Sequence, residues 1–259
     1  MSTNLKKISA DNLSWKPSPT GAPGCYGKKI FNYSAKGLGR DGAAGSYTTI
    51  YRFDPGASYP PFYVTEGVCE LGVLEGTLEI NDRAFAANEW TRLPSGEATW
   101  TLSSTEGCKV VGIVRGRLTL AQDSAAKPGI GSELERISVD DMDWNPSKTD
   151  AQGCAGKMLF RYGQDGLERE GSDDSYSTLY RFAPGAYYPP YVMQEGVCEI
   201  SVLQGMLRIN DEEFERGDWV QLPSDERDWR LGSERGAKVI GIVRGRIALV
   251  DSTYEQQGN

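Results

Sequence analysis

Laid on itself with a shift of 129 residues, the sequence repeats without a gap. Ile8-Ser9 meets Ile137-Ser138, Trp15 meets Trp144, Gly24-Cys25 meets Gly153-Cys154, and Tyr51-Arg52-Phe53 meets Tyr180-Arg181-Phe182. Further along, Glu66-Gly67-Val68-Cys69-Glu70 falls on Glu195-Gly196-Val197-Cys198-Glu199, and Gly112 to Arg117 on Gly241 to Arg246. All six tryptophans form three pairs, Trp15 with Trp144, Trp90 with Trp219 and Trp100 with Trp229. About half the positions between Ile8 and Gln122 recur unchanged, and so long a period is a whole domain, because solenoid units run to about 20 to 50 residues. The expected division is a first domain over 1–122, a linker over 123–136 containing Lys127-Pro128-Gly129, and a second domain over 137–259.

Each half reads as β. Short alternating or β-branched runs span Ser46 to Phe53, Val68 to Leu74, Thr77 to Ile80, Trp90 to Leu93, Trp100 to Leu102 and Lys109 to Leu118, with Gly, Pro, Asn and Asp between them. Such close spacing points to a sandwich or barrel. Asn81-Asp82 and Asn210-Asp211 sit where hairpin turns belong. No segment carries an apolar stripe of helical period and length.

Composition narrows the function classes. Lys plus Arg number 28 against 36 Asp plus Glu, a net charge of -8, which is the wrong sign for neutralising phosphates or anionic lipid. Nucleic acid and membrane are therefore not expected as partners. The N-terminus lacks an apolar signal region and no run is long enough to span a bilayer, so a cytoplasmic location is expected. Five cysteines, an odd number, fit reduced thiols better than a disulfide framework. There is no histidine, which removes the commonest general base and the commonest transition-metal ligand.

Both halves contain Pro-Gly-Ala-x-Tyr-Pro-Pro, then Glu-Gly-Val-Cys-Glu, then Val-Leu-x-Gly, then Leu-Pro-Ser. This framework resembles the cupin superfamily, whose first motif is Gly-x5-His-x-His-x4-Glu-x6-Gly and whose second is Gly-x5-Pro-x-Gly-x2-His. Gly56 and Gly76, and Gly185 and Gly205, bracket the first motif at the family's intervals. Pro94 and Gly96, and Gly217 and Pro223, anchor the second, with Asn88 and Asp225 standing where glycines are expected. The early Asp-x3-Trp-x-Pro and the Tyr-Arg-Phe ahead of Pro-Gly are similar to ChrR-type cupins, found at the C-terminus of some anti-sigma factors and in small diketone-cleaving dioxygenases. The resemblance implies an all-β fold of two tandem cupin barrels, each a double-stranded β-helix or jelly roll, related by a pseudo-two-fold. It implies a monomer with an internal pseudo-dimer, or a homodimer.

The family's metal-binding positions are the ones this chain does not keep. For the first two histidines it has Phe62 and Val64, and Tyr191 and Met193; for the glutamate, Cys69 and Cys198; for the third histidine, Thr99 and Asp228. A histidine-based site for Fe(II), Mn(II), Zn(II) or Ni(II) cannot be assembled from these residues. No metal and no cofactor is expected.

Other candidates carry two readings each. Cys69 and Cys198 are soft ligands or redox-sensitive thiols, or, as favoured here, small buried hydrophobes, since Glu70 and Glu199 adjoin them and raise a thiol's pKa. Cys25 and Cys154 recur with the turn that holds them, and Cys108 faces Ala237 across the repeat. Glu66 and Glu195, expected in a loop at the barrel mouth, are acid–base candidates or solvated carboxylates. Asp228, which parity places inward, is a proton-transfer candidate or an ion-pair partner. Arg52 and Arg181 grip a substrate carboxylate or form structural salt bridges. Tyr59, Phe62 and Tyr63, with Tyr187, Tyr188 and Tyr191, line a cavity or simply fill the barrel.

Three functions follow. The leading one is a metal-free bicupin, a small-molecule-binding, regulatory or structural protein whose ligand is small and apolar or a carboxylate. The second is a metal-independent lyase or isomerase using Asp228. The third is a ChrR-like metal-dependent dioxygenase with Cys198, Asp228 and Glu195 as atypical ligands. The polar pair Tyr191 and Asp228 makes the second barrel the better candidate for a site.

Overall fold

The structure is a computed structural model and describes residues 5–33, 45–121, 127–147, 149, 151–162, 175–224 and 228–250. It is built from strands; among the described residues the one helix is a 3-10 turn at Gly131–Glu133. No helix among them is long and apolar enough to cross a membrane.

Two compact units emerge, and the repeat governs both. The first barrel's main sheet runs Ile137–Ser138, Glu89–Pro94, Phe62–Ile80, Cys108–Leu120, Tyr47–Phe53, Cys25–Asn32, Lys16–Pro17. The second runs Lys6–Ser9, Asp218–Pro223, Tyr191–Ile209, Ala237–Leu249, Tyr176–Phe182, Cys154–Arg161, Asn145–Pro146. From Lys16–Pro17 onward these strands recur at the 129-residue offset, apart from the short Thr99–Trp100, which is reduced to an isolated bridge at Trp229 in the second half. In each half one 19-residue strand, Phe62–Ile80 or Tyr191–Ile209, passes from the main sheet into a small second sheet with Arg83–Ala86 or Glu212–Glu215. The sequence shows two runs there because glycine interrupts the apolar pattern at Gly76 and Gly205. Both hold a positive φ of 74°, and a Cβ on either would lie about 2 Å from a carbonyl of the adjoining segment, 2.2 Å from Gly107 O and 2.0 Å from Gly236 O.

The turn residues behave as their chemistry requires. Asn81 and Asn210 adopt φ of 51° and 52° in the hairpins, and Asn88 takes φ 67° in place of the motif's glycine, which asparagine tolerates better than most residues.

The compact units are Ala10–Met142 and Met1–Ser9 with Asp143–Asn259, which differ from the division at 1–122, 123–136 and 137–259. Two pairings explain the difference. Lys6–Ser9 is the edge strand beside Asp218–Gln221, where Lys7 Nζ lies 2.7 Å from Asp218 Oδ2. Ile137–Ser138 pairs with Trp90 and Glu89. Nor is the segment from Lys127 a free tether. Thr99 N donates to Lys127 O and Gly129 N to Thr99 O, Asn81 Nδ2 donates to Gly129 O, and Leu134 is buried in the first barrel's core. Residues 123–126 of the expected linker lie outside the described residues.

The two interiors are apolar, filled by Leu71, Leu78, Ile80, Phe85 and Leu93 in one barrel and Ile200, Leu207, Ile209, Phe214 and Leu222 in the other. On the opposite face of each long strand a fully buried ion pair forms, Arg115 Nε to Glu70 Oε1 at 2.5 Å and Arg244 Nε to Glu199 Oε1 at 2.7 Å.

Candidate functional site

Strand parity decides which side chains reach the cavities. Along Tyr47–Phe53, Tyr47, Thr49, Tyr51 and Phe53 alternate inward; along Tyr176–Phe182, Tyr176, Thr178, Tyr180 and Phe182 do the same. Tyr59 and Tyr188 join them from beyond the Pro-Gly turn. Each barrel therefore holds a duplicated set of phenols over a buried thiol. Tyr51 donates its hydroxyl to Tyr47 at 3.1 Å. In the second barrel Tyr188 makes edge contacts with Tyr180 and Tyr191, at centroid separations of 5.7 and 5.8 Å.

Burial holds these groups neutral. The Cys69 thiol is pushed up to about 12, first by burial and then by the Glu70 charge. Cys198 is pushed up to about 12 by burial, with the Tyr191 hydrogen bond opposing and the Glu199 charge adding to it. Burial likewise raises Tyr47, Tyr51 and Tyr59, and Tyr176, Tyr180, Tyr188 and Tyr191. At neutral pH the site offers phenol and thiol donors but no anion.

Several expected site residues fall elsewhere. Phe62, Val64, Cys69, Tyr191, Met193 and Cys198 are buried in the barrel cores, and of them Tyr191 and Cys198 also line the second barrel's cavity. Asp228 is exposed and lines no cavity; the inward residue is its neighbour Trp229, fully buried and bridged to Tyr191. The same one-residue offset holds in the first barrel, where Trp100 stands opposite Phe62 and joins the core while Thr99 pairs with Tyr63 and donates its hydroxyl to Lys127 O. Leu93 and Trp100 both reach the first core and Leu222 and Trp229 the second, an odd spacing of seven residues, so the alternation flips between them and counting by twos points to the wrong residue. Arg52 and Arg181 point away from the barrel interiors: Arg52 stacks on Trp15 and Tyr26 and pairs with Asp54, and Arg181 stacks on Trp144 and borders an open cleft with it. Glu66 and Glu195 lie within the long strands, not in a mouth loop, and stand across the ladder from Arg117 and Arg246.

The inward tyrosines next to both arginines, Tyr51 and Tyr180, and their neighbours Tyr47 and Tyr176 were the residues that sequence motifs passed over. Their signal was the period-two alternation of Tyr-x-Thr-x-Tyr-x-Phe in both halves.

The two cavities differ in size. The first barrel encloses about 420 Å³, bounded by Tyr47, Thr49, Tyr51, Phe53 and Tyr59 and by the Lys16–Pro19 segment. The second leaves about 80 Å³ among Tyr176, Tyr180, Tyr188, Tyr191 and Cys198. That is room for a few waters, at roughly 30 Å³ each. Tyr191, where the first barrel has Phe62, is part of what fills it. A further, more open cleft of about 600 Å³ lies in the second half against Trp144, Pro146, Ser147, Cys154, Arg181 and Phe182. The expected pairing of Tyr191 with Asp228 in one cavity does not form, because Asp228 is exposed.

Metal donors are sparse around these cavities. Among the described residues no three of His, Cys, Asp and Glu gather where an ion could be held. At the positions matching the family's ligands stand Phe62, Val64 and Thr99 in the first half and Tyr191 and Met193 in the second, with Cys69 and Cys198 as the soft donors.

No family model and no curated protein matches the sequence. Solved structures do match it by fold. A "putative dioxygenase" from Nostoc punctiforme superposes with a TM-score of 0.70 at 13% identity, over 96% of this chain and 84% of that one. A deletion mutant of Bacillus subtilis oxalate decarboxylase superposes with a TM-score of 0.63 at 12% identity, over 99% and 84%. Another structure of the same decarboxylase, studied for its Mn(II) centres, gives the same values. The likeness extends over nearly the whole chain, and the fold is that of two tandem cupin barrels.

Proposed function

We propose that this chain is a metal-independent bicupin that binds a small molecule in its first barrel. The observation that carries the reading is the pairing of an open cavity of about 420 Å³ with a lining of phenols and apolar side chains, and the replacement of every metal-ligand position by Phe62, Val64 and Cys69 or by Tyr191, Met193 and Cys198. A cavity of that size with a few convergent polar groups is the ordinary form of a small-molecule site. The dioxygenase reading lacks support from the donor set, since Asp228 stands outside the barrel. The lyase or isomerase reading loses its proton-transfer group for the same reason. The regulatory or structural role remains compatible with ligand binding.

The test is titration of the chelator-treated chain with benzamide, a neutral aromatic probe, followed by calorimetry. Saturable binding is expected, unchanged by chelation and abolished in Gly27→Leu. A side chain at Gly27 enters the cavity beside Thr49 and Tyr51, where its Cβ would lie 3.3 Å from Thr49 Cγ2. Recovery of about one tightly bound iron, manganese or zinc per chain, lost in Cys198→Ala, would overturn the reading.

A further inference from the structure

The first cavity has features that the second lacks, and they specify charge. Lys16 and Lys29 are both exposed side chains on its lining, and Lys29 Nζ stands 5.3 Å from the Tyr47 ring centroid. Among the described residues no Asp or Glu lines that cavity. At the equivalent positions of the second half stand Asn145 and Met158, so the two cations belong to the first barrel alone. A second observation comes from inside the cavity. Thr49 is 4% exposed and lines it, and its hydroxyl has no hydrogen-bond partner. Its counterpart Thr178 is satisfied, donating to Lys157 O at 3.0 Å. A buried hydroxyl left unpaired costs about 1 to 3 kcal/mol, which a bound acceptor relieves.

Resting on the small-molecule reading above, we infer that the first barrel takes a small aromatic or branched aliphatic carboxylate. Its apolar body lies against the rings of Tyr47, Tyr51, Phe53 and Tyr59, and its anionic end meets the Lys16 and Lys29 ammoniums. The Thr49 hydroxyl and the Tyr47–Tyr51 phenol pair supply hydrogen bonds from the wall. Burial keeps the Tyr47 and Tyr51 phenols and the Cys25 thiol on this wall protonated, so none of these groups repels an anion. The space among Tyr176, Tyr180, Tyr188, Tyr191 and Cys198 in the second barrel, about 80 Å³ with no cation among its described lining residues, is too small for such a ligand.

Benzoate and benzamide, equal in shape and different in charge, test this on the full chain by calorimetry at low and high salt. Benzoate is expected to bind about three- to tenfold more tightly at low salt, the gain two partly exposed ammoniums can give. The preference shrinks with added salt, as screening requires. The double variant Lys16→Asn, Lys29→Met, which installs the second half's residues, removes the preference for benzoate over benzamide. Thr49→Val weakens both probes about two- to fivefold without lowering the melting temperature of the free protein. Equal affinity for the two probes, or a preference that survives the double variant, overturns the carboxylate inference while leaving the cavity reading intact. Absence of binding by both probes up to their solubility limit overturns both. Unchanged affinity in Thr49→Val removes the hydroxyl from the site. Binding that persists in Gly27→Leu places the probe outside the barrel and overturns the proposal.

Discussion

The thiols of Cys69 and Cys198 are each pushed up to about 12 from an ordinary 9.0, with burial as the main cause. The consequence for stability has a definite sign. Between about pH 9 and 12 the native chain keeps both protons while the unfolded chain loses them, so the unfolded state binds fewer protons and stability falls as pH rises. Stability from these groups is complete below pH 9, and each thiol steepens the decline above it by up to about 1.4 kcal/mol per pH unit. The raised phenols, Tyr47, Tyr51, Tyr176 and Tyr191 among them, add a further decline above about pH 10, where an exposed tyrosine ionises. Urea unfolding at a series of pH values checks this: a flat region to about pH 8.5, then a fall that is shallower in Cys69→Ala with Cys198→Ala. A stability that rises or holds constant to pH 11 refutes it. At this scale the sequence told only part of the story. It showed thiols at ligand positions beside Glu70 and Glu199, which is enough to forecast unreactive cysteines. It did not show that tyrosines four residues apart share a cavity, because Tyr51 sits next to Arg52 and the charged neighbour drew the functional reading to the wrong face.

At the scale of the element, the strands and their turns were readable because alternation and turn chemistry are local. The second-motif strand was not. Parity counted from Pro94 or Pro223 assumes unbroken alternation, but the pairing register with the long strand is the same at Val68–Pro94 and at Phe62–Trp100 while the alternation flips between them, so Leu93 and Trp100, and Leu222 and Trp229, take the inward places. Two substitutions one residue apart separate the alternatives. Trp229→Ala removes a fully buried ring whose Nε1 donates to Pro223 O at 3.3 Å, and is expected to cost about 3 to 5 kcal/mol. Asp228→Asn changes an exposed side chain and is expected to shift stability by no more than about 0.5 kcal/mol and to leave benzamide binding unchanged. Chemical denaturation of both variants decides it. A large loss in Asp228→Asn, or a small one in Trp229→Ala, restores the carboxylate to the interior.

For the whole molecule, the repeat forecast two barrels but not where one ends, because a duplication boundary marks where the sequence was copied and not which edge each terminal strand pairs with. The strand Lys6–Ser9 belongs to the unit built on residues 143–259, beside Asp218–Gln221, and Ile137–Ser138 belongs to the unit built on 10–142, beside Glu89 and Trp90. These edges are equivalent under the 129-residue shift, and so are the strands that cover them. A fragment of residues 1–122 therefore carries a strand that matches an edge of its own kind, Glu89–Arg92, and lacks the strand that normally covers that edge. It also lacks Gly129, which packs on Trp100, and Leu134, which fills the core. Its Lys6–Ser9 strand can complete the edge of a second copy, so the fragment is expected to dimerise by reciprocal strand exchange, a low-cost route to dimers where an element is already detachable. The fragment 10–142 holds its covering strand and its core residues in one piece and is expected to be monomeric and more stable than 1–122. Sedimentation of the two fragments, with deletion of residues 1–9 from the shorter one, tests the argument: the deletion should convert the dimer of 1–122 to a less stable monomer. A monomeric 1–122 as stable as 10–142 would show that the exchanged strands and the 127–142 segment contribute nothing to closing the barrel.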